Sequence, residues 1–133
     1  MRQLVVDTDV ASYIFKWHTS APRYVELLAD NEVVLSFATL AEMRLGALKA
    51  GWGTRKRNLL ERYLSRFTVC YPDDRLCALW AEVKHESNRK GYPLGSQDAW
   101  IAATALYLGV PLVTNNVRDY AHLKDLETYT DEG

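Results

Sequence analysis

The chain has 133 residues, of which 48% are hydrophobic and 25% are charged, and its formal net charge at pH 7 is −1. A chain of this length can bury a core without a structural metal or disulfide, and its composition excludes the disordered class of proteins. No stretch approaches the roughly 20 consecutive apolar residues of a membrane helix. We therefore expect a cytoplasmic protein with no membrane partner, folded as a single domain over residues 1–133.

The first half of the chain alternates short apolar runs with segments of helical periodicity. In the last of these helices, Ala41, Leu45 and Leu48 recur at helical spacing and are interpreted as its apolar face. The elements predicted here are a strand at 4–6, a turn at 7–9, a helix at 11–17, a helix to about residue 31 after a cap at Ser20, a strand at 33–35 and a helix at 39–50.

The second half continues the alternation. Leu59, Leu60, Tyr63, Leu64 and Phe67 form an apolar stripe in a basic helix, and residues 99–108 are apolar on nearly all sides, which indicates a buried helix. The further predicted elements are an extended run at 67–71, a helix at 74–89, a helix at 96–108 capped by Ser96, a strand at 112–113, a helical turn from 115 or 116 and a strand near 126–129.

Strands and helices that alternate at this spacing predict an α/β fold with a mostly parallel central sheet covered by helices. Ligands of such sheets bind at the carboxyl ends of the strands. Asp7 follows the first predicted strand, Ser36 the second, and Thr114 a later one. Glu42 and Asp98 lie near the starts of two helices and can reach the same crevice.

Carboxylates gathered in one crevice repel one another unless a cation lies between them. Oxygen-only ligands favour Mg²⁺ or Mn²⁺, whereas His18, His85 and His122 are too scattered for a zinc site. Each acid also has a simpler explanation: Glu42 could close a capping box with Thr39, Asp98 could compensate a helix dipole, and Asp7 with Asp9 could form an ordinary turn.

A positively charged segment extends from Arg44 to Arg66, with seven basic residues and one acid, Glu61. Arg55, Lys56 and Arg57 are its densest part and are candidates for contact with phosphate groups. A helix face that is merely solvated explains the same pattern equally well.

Four motifs occur in order along the chain: VVDTDV near the start, SFATLAEMRLG around Thr39 and Glu42, QDAWIAATA around Asp98, and VTNNVRDY near the end. Together they resemble the successive motifs of PIN domains, and most of all those of VapC toxins from bacterial toxin–antitoxin pairs. The resemblance covers almost the whole chain.

The resemblance implies a three-layer αβα PIN-like fold and a magnesium-dependent endoribonuclease, with Mn²⁺ as a substitute. It implies inhibition by a cognate VapB-like antitoxin, and a homodimer that joins a toxin–antitoxin hetero-oligomer. The substrate would be a structured RNA such as tRNA, including initiator tRNA, or a ribosomal RNA loop. By this likeness Asp7, Glu42 and Asp98 are the metal-binding and catalytic acids.

The fourth acid departs from the common pattern, because Asn116 stands where many PIN domains have an aspartate. Asp119, three residues later, is the candidate for the fourth catalytic and metal-binding position. The groups expected to orient the carboxylates or contact phosphate are Thr8, Asp9, Ser36, Thr114 and Asn116.

Two other functions remain open from the sequence. A haloacid-dehalogenase-like phosphatase could use Asp7 and Asp9 as nucleophile and acid, although Val10 stands where that family usually has glycine. A catalytically inactive, RNA-binding PIN module is the non-enzymatic alternative.

Overall fold

A five-stranded parallel sheet forms the centre of the protein in the computed structural model, which describes residues 2–132. The strands are β1 (Gln3–Val6), β2 (Glu32–Ser36), β3 (Thr68–Cys70), β4 (Leu112–Val113) and β5 (Thr128–Tyr129). Their order across the sheet is β3-β2-β1-β4-β5, and every pairing is parallel. The predicted α/β fold with a mostly parallel sheet is confirmed.

Helices cover both faces of this sheet. They are α1 (Thr8–Lys16), α2 (Ala21–Leu28), α3 (Phe37–Lys49), α4 (Thr54–Leu64), α5 (Asp74–Arg89), α6 (Ser96–Leu108) and α7 (Val117–Tyr120). None of the helices within residues 2–132 combines the length and the apolar character that crossing a membrane requires.

The residues of β1 alternate between two hydrophobic clusters, as the period of two in a strand requires. Val5 packs in one cluster with residues of α5 and α6, whereas Leu4 and Val6 pack in the other with residues of α1, α3 and α4. The sheet is therefore the middle layer of an αβα arrangement.

Two helices begin at other residues than predicted, and a third has a different N-cap. Asp7 caps α1, so Thr8 and Asp9 lie in the first helical turn rather than in a separate turn. Ser36 caps α3, which starts at Phe37 instead of Thr39. Gly95, and not Ser96, is the N-cap of α6. In the first two cases the strand leads directly into the helix, so Asp7 and Ser36 lie at the carboxyl ends of β1 and β2.

The apolar face predicted for α3 was also wrong. Leu45 and Leu48 are 51% and 61% exposed, and the helix instead buries Leu40, Met43 and Ala47. Because the helix starts at Phe37 next to the end of β2, the face that meets the sheet is set by Ala38 and Thr39. Leu59 of α4, placed in the predicted stripe, is likewise 49% exposed.

Candidate active site

The strands β1 and β4 are neighbours, while the chain leaves β1 toward β2 on the opposite side. In parallel sheets this change of direction opens a crevice at the carboxyl ends of the strands. Asp7 lies in that crevice, and its backbone N–H donates to the carbonyl of Val113 at 3.0 Å. The acid most strongly predicted from the sequence is thus at the topological switch point.

Asp7 is a buried carboxylate, and each of its two oxygens accepts a hydrogen bond. It is 4% exposed. Its Oδ1 accepts from the Val10 N–H at 2.9 Å, and its Oδ2 accepts from the Thr114 hydroxyl. Burial nevertheless raises the pKa of Asp7 to about 6, and the charges of Asp9 and Asp98 add to the rise. Both hydrogen bonds favour the carboxylate, so desolvation outweighs them.

Glu42 reaches the same crevice from α3. Its Oε1 accepts from the Thr8 hydroxyl at 3.0 Å, and the Thr8 and Thr39 hydroxyl oxygens are 3.1 Å apart. The capping-box explanation of Glu42 is therefore wrong, since the cap of α3 is Ser36 and the glutamate bonds to α1. Burial raises the pKa of Glu42, and the charges of Asp98 and Asp9 raise it further.

Asp98 enters from the first turn of α6 and is half-buried. Desolvation is the main cause that raises its pKa, and the charges of Asp119 and Asp9 contribute. The Tyr120 hydroxyl opposes the rise and lowers the pKa of this carboxylate. Sequence analysis did not single out Tyr120, although it ends the VTNNVRDY motif.

The segment after β4 supplies the remaining polar groups. The Asn116 side-chain amide donates to Oδ2 of Asp9 at 2.7 Å, and the Asn116 backbone N–H donates to the Thr114 hydroxyl oxygen at 3.0 Å. Asp119 follows in α7 and is exposed. Asn116 therefore orients Asp9, while Asp119 acts on Asp98 through its charge.

Two groups of predicted residues lie apart from the acids. Ser36 is fully buried and accepts from the Ala38 N–H at 3.1 Å, which leaves it no surface for the expected phosphate contact. Arg55, Lys56 and Arg57 are exposed in the first two turns of α4, where the Lys56 ammonium lies 4.1 Å from the Trp52 ring centroid. No hydrogen bond within residues 2–132 joins these three side chains to the acids.

The donor set of the crevice suits a hard divalent cation by its chemistry. Its acids offer only oxygen, and the pKa of each of Asp7, Glu42 and Asp98 is raised mainly by burial and further by a neighbouring carboxylate. The salt bridges of the described chain hold other acids, Glu61 and Glu86. Within residues 2–132, however, no three Asp, Glu, His or Cys side chains are arranged to hold one ion together.

The PIN domain model matches residues 4–126. Ribonuclease VapC1 of Haemophilus influenzae is 30% identical over 125 residues, which cover 92% of this chain and 93% of the relative. The tRNA(fMet)-specific endonuclease VapC of Shigella flexneri is 28% identical over 128 residues, covering 96% and 97%. A chain in the crystal structure of DNA-bound VapBC from Salmonella typhimurium is 26% identical, with a TM-score of 0.86 and coverage of 98% and 99%.

These matches favour the nuclease hypothesis over the phosphatase hypothesis. The domain match extends over residues 4–126, and the Haemophilus relative reaches 30% identity over 92% of the chain. The chain therefore belongs to the PIN-domain family and, within it, to the VapC ribonucleases.

Proposed function

We propose that this protein is the toxin of a type II toxin–antitoxin pair, a metal-dependent endoribonuclease that hydrolyses RNA phosphodiester bonds in the crevice beside β1 and β4. The observation that carries the proposal is the proximity of four acids from separate segments, Asp7, Glu42, Asp98 and Asp119. Burial raises the pKa values of Asp7, Glu42 and Asp98, and the charge of Asp98 adds to the rise at Asp7 and Glu42, as the charge of Asp119 does at Asp98. The whole chain, residues 1–133, is taken as one PIN domain.

In this proposal Asp7, Glu42, Asp98 and Asp119 hold a divalent cation, Mg²⁺ with Mn²⁺ as a substitute. PIN-domain nucleases generally depend on divalent metals, which supports the assignment. When bound, such a cation supplies activation of a water molecule and stabilisation of the negative charge that develops on the phosphate. The Thr114 and Thr8 hydroxyls favour the ionised forms of Asp7 and Glu42 and orient them, because each donates to its carboxylate.

The favoured substrate is a transfer RNA, with initiator tRNA as the first candidate. Support comes from the Shigella relative, which is named a tRNA(fMet)-specific endonuclease and is 28% identical. Arg55, Lys56 and Arg57 are proposed to bind phosphates of the same RNA at a distance from the cleaved bond. A ribosomal RNA loop is the competing substrate.

The proposed protein partners are a VapB-like antitoxin and a second copy of this chain. The Salmonella neighbour is part of a VapBC complex, which supports the first partner. Exposed apolar side chains are available for such contacts, among them Trp17, which is 65% exposed, Leu45 and Leu48. Tyr13 and Phe15, in contrast, pack against the core. Because both tRNA and antitoxin are cytoplasmic molecules, we place the protein in the cytoplasm.

The proposal is tested by incubating the purified protein with total tRNA and with ribosomal RNA and mapping new RNA ends. Cleavage should require Mg²⁺ or Mn²⁺, stop with EDTA and disappear in Asp98→Ala. The matched control is Asp74→Ala, since Asp74 is an exposed acid in the first turn of another helix, α5. Cleavage that survives both EDTA and Asp98→Ala would contradict the proposal, and an intact site without cleavage of any RNA would favour the inactive RNA-binding module.

A further inference from the structure

Three aromatic side chains form a cluster beside the acidic crevice. Phe37 is the first residue of α3 and directly follows Ser36 at the carboxyl end of β2. Its ring meets that of Trp100 edge-on, with 4.9 Å between the centroids and an angle of 74° between the planes. The ring of Trp80, from α5, stacks on Trp100 at 5.0 Å and 21°. We call Phe37, Trp80 and Trp100 the aromatic cluster.

The aromatic cluster is only partly covered by protein. All three of its residues are half-buried, and the two tryptophans rest against the hydrophobic core of α5 and α6. The Trp80 indole N–H donates to the Ser96 carbonyl at 3.2 Å, which satisfies the one polar atom of this side chain. Because Trp100 lies between the other two rings, Trp80 and Phe37 are the ends of the cluster, and Trp80 offers the larger ring.

The position of the cluster relative to the acids favours a ligand that extends out of the crevice. Asp98 and Trp100 are only two residues apart in α6, but side chains at this spacing point to different sides of a helix. Asp98 belongs to the crevice beside β1 and β4, whereas Trp100 meets Phe37 at the end of β2. An RNA strand with one phosphate at the acids can therefore bring a neighbouring base to the cluster.

We propose that the aromatic cluster is a stacking subsite for one unpaired base of the RNA substrate, with the Trp80 indole as its main contact. This inference rests on the proposed function, because it takes the RNA to pass through the crevice at Asp98. Proteins hold single-stranded RNA by stacking its bases on aromatic side chains, and such stacking depends little on which base is present. The subsite would thus select an unpaired nucleotide rather than a sequence.

The test measures the binding of a short single-stranded RNA in EDTA, where the proposed metal-dependent cleavage cannot occur. Trp80→Leu keeps an apolar side chain against α6 but removes the stacking ring, whereas Trp80→Phe retains a ring. Loss of one base stack typically weakens binding by about 5- to 100-fold. We expect a loss in this range for Trp80→Leu and a smaller one for Trp80→Phe. The control, Trp17→Leu, replaces an exposed tryptophan at the far end of α1 and should bind like the wild type.

RNAs that lack one base at a time distinguish stacking from packing. In the wild type, one abasic position should weaken binding by about the same factor as Trp80→Leu, and that RNA should bind no more weakly still to the variant. If no single base contributes to binding by the wild type, the inference is overturned without recourse to a variant. Equal abasic effects in wild type and Trp80→Leu would also overturn it. A changed oligomeric state in Trp80→Leu with unaltered base dependence would do the same, and would assign the cluster to a contact between two copies.

RNA cleavage in Mg²⁺ separates this inference from the proposed function. Trp80→Leu should raise the KM for RNA and leave kcat nearly unchanged, because the stacked base is held equally in the ground state and the transition state. Asp98→Ala should instead abolish turnover. If the wild type binds RNA through one base but cleaves none, the endonuclease is rejected and the subsite stands. If the wild type cleaves RNA and Trp80→Leu keeps its KM, only the subsite is rejected.

Discussion

Thr114 donates its hydroxyl hydrogen to Oδ2 of Asp7, joining residues that are 107 positions apart in the sequence. The bond connects the ends of the neighbouring strands β1 and β4, and both residues are buried. The Thr114 hydroxyl in turn accepts from the Asn116 N–H at 3.0 Å, so one side chain links the first acid to the segment that carries Asp119. The orientation of Asp7 therefore depends on β4.

Thr114→Val should impair cleavage without unfolding the protein. Valine has nearly the same shape as threonine, but it cannot donate to Asp7, whose carboxylate then loses one of its two described hydrogen bonds. Loss of such a supporting contact typically costs about 10- to 100-fold in activity or metal affinity. Steady-state cleavage and Mn²⁺ titration measure both quantities.

The control for this variant is Thr104→Val. Thr104 is also fully buried, and its hydroxyl donates at 2.8 Å to the Trp100 carbonyl within α6. We expect the control to change stability slightly and activity very little. If the two variants lose activity equally, the effect of Thr114→Val arises from packing, and the bond to Asp7 has no special role.

The metal-free protein should become more stable when Asp7 is replaced by asparagine. The pKa of Asp7 is raised from 3.8 to about 6 in the folded state, so the folded protein holds this proton more tightly than the unfolded chain. The folded state therefore loses stability as the pH rises from about 4 to about 6, and the full cost, on the order of a few kcal/mol, is present above pH 6. Asparagine carries no charge and avoids this cost.

Melting curves in EDTA at several pH values test this expectation. Asp7→Asn should have the higher Tm at pH 7, and the difference should shrink as the pH falls from 6 toward 4. Asp74→Asn is the control, because Asp74 is exposed and its Tm should follow that of the wild type. A lower Tm for Asp7→Asn at pH 7 would show that its hydrogen bonds to Val10 and Thr114 outweigh the cost of burial.

The sheet and the acids could be predicted because their signals are local. A short apolar run such as Leu4-Val5-Val6 followed by an acid predicts both a strand and a group at its carboxyl end. The positions of Glu42 and Asp98 near the starts of two helices predicted that both reach the same crevice, and the structure brings the charge of Asp98 within range of Glu42.

Contacts between distant segments were not predictable in this way. The bond from Thr8 to Glu42 and the approach of Tyr120 to Asp98 depend on how α1, α3, α6 and α7 pack, which no periodicity encodes. The buried face of α3 was misassigned for a related reason: Leu45 and Leu48 satisfy the helical period, but the sheet meets the face of Leu40, Met43 and Ala47.

Replacement of Arg55, Lys56 and Arg57 by alanine should weaken RNA binding and flatten its salt dependence. The slope of log K against log salt concentration is negative, and each phosphate contact that is lost reduces its magnitude by roughly 0.7 to 0.9. Arg89→Ala is the control, since Arg89 is exposed and already paired with Glu86. Binding measured at several salt concentrations decides the matter: an unchanged slope in the triple variant would leave these residues as a solvated helix face.

Asp119→Asn should weaken metal binding more than Asn116→Ala does. Asp119 raises the pKa of Asp98 through its charge, and both carboxylates are proposed ligands of the same cation. Asn116 instead donates to Asp9 at 2.7 Å. Its neutral amide oxygen is a weaker ligand for a hard cation than a charged carboxylate is. Loss of the Asn116 side chain should free Asp9 and slow turnover while metal affinity changes little.

Calorimetric titration of Mg²⁺ or Mn²⁺ into both variants, paired with melting curves of the metal-free proteins, tests this assignment. Asp119→Asn removes a repulsive charge beside Asp98, so its metal-free form should be as stable as the wild type or slightly more stable. Weaker metal binding together with unreduced stability is a combination that general damage to the fold cannot produce. A greater loss of affinity in Asn116→Ala would move the fourth ligand to Asn116, and Asp119 would then be a surface residue of α7.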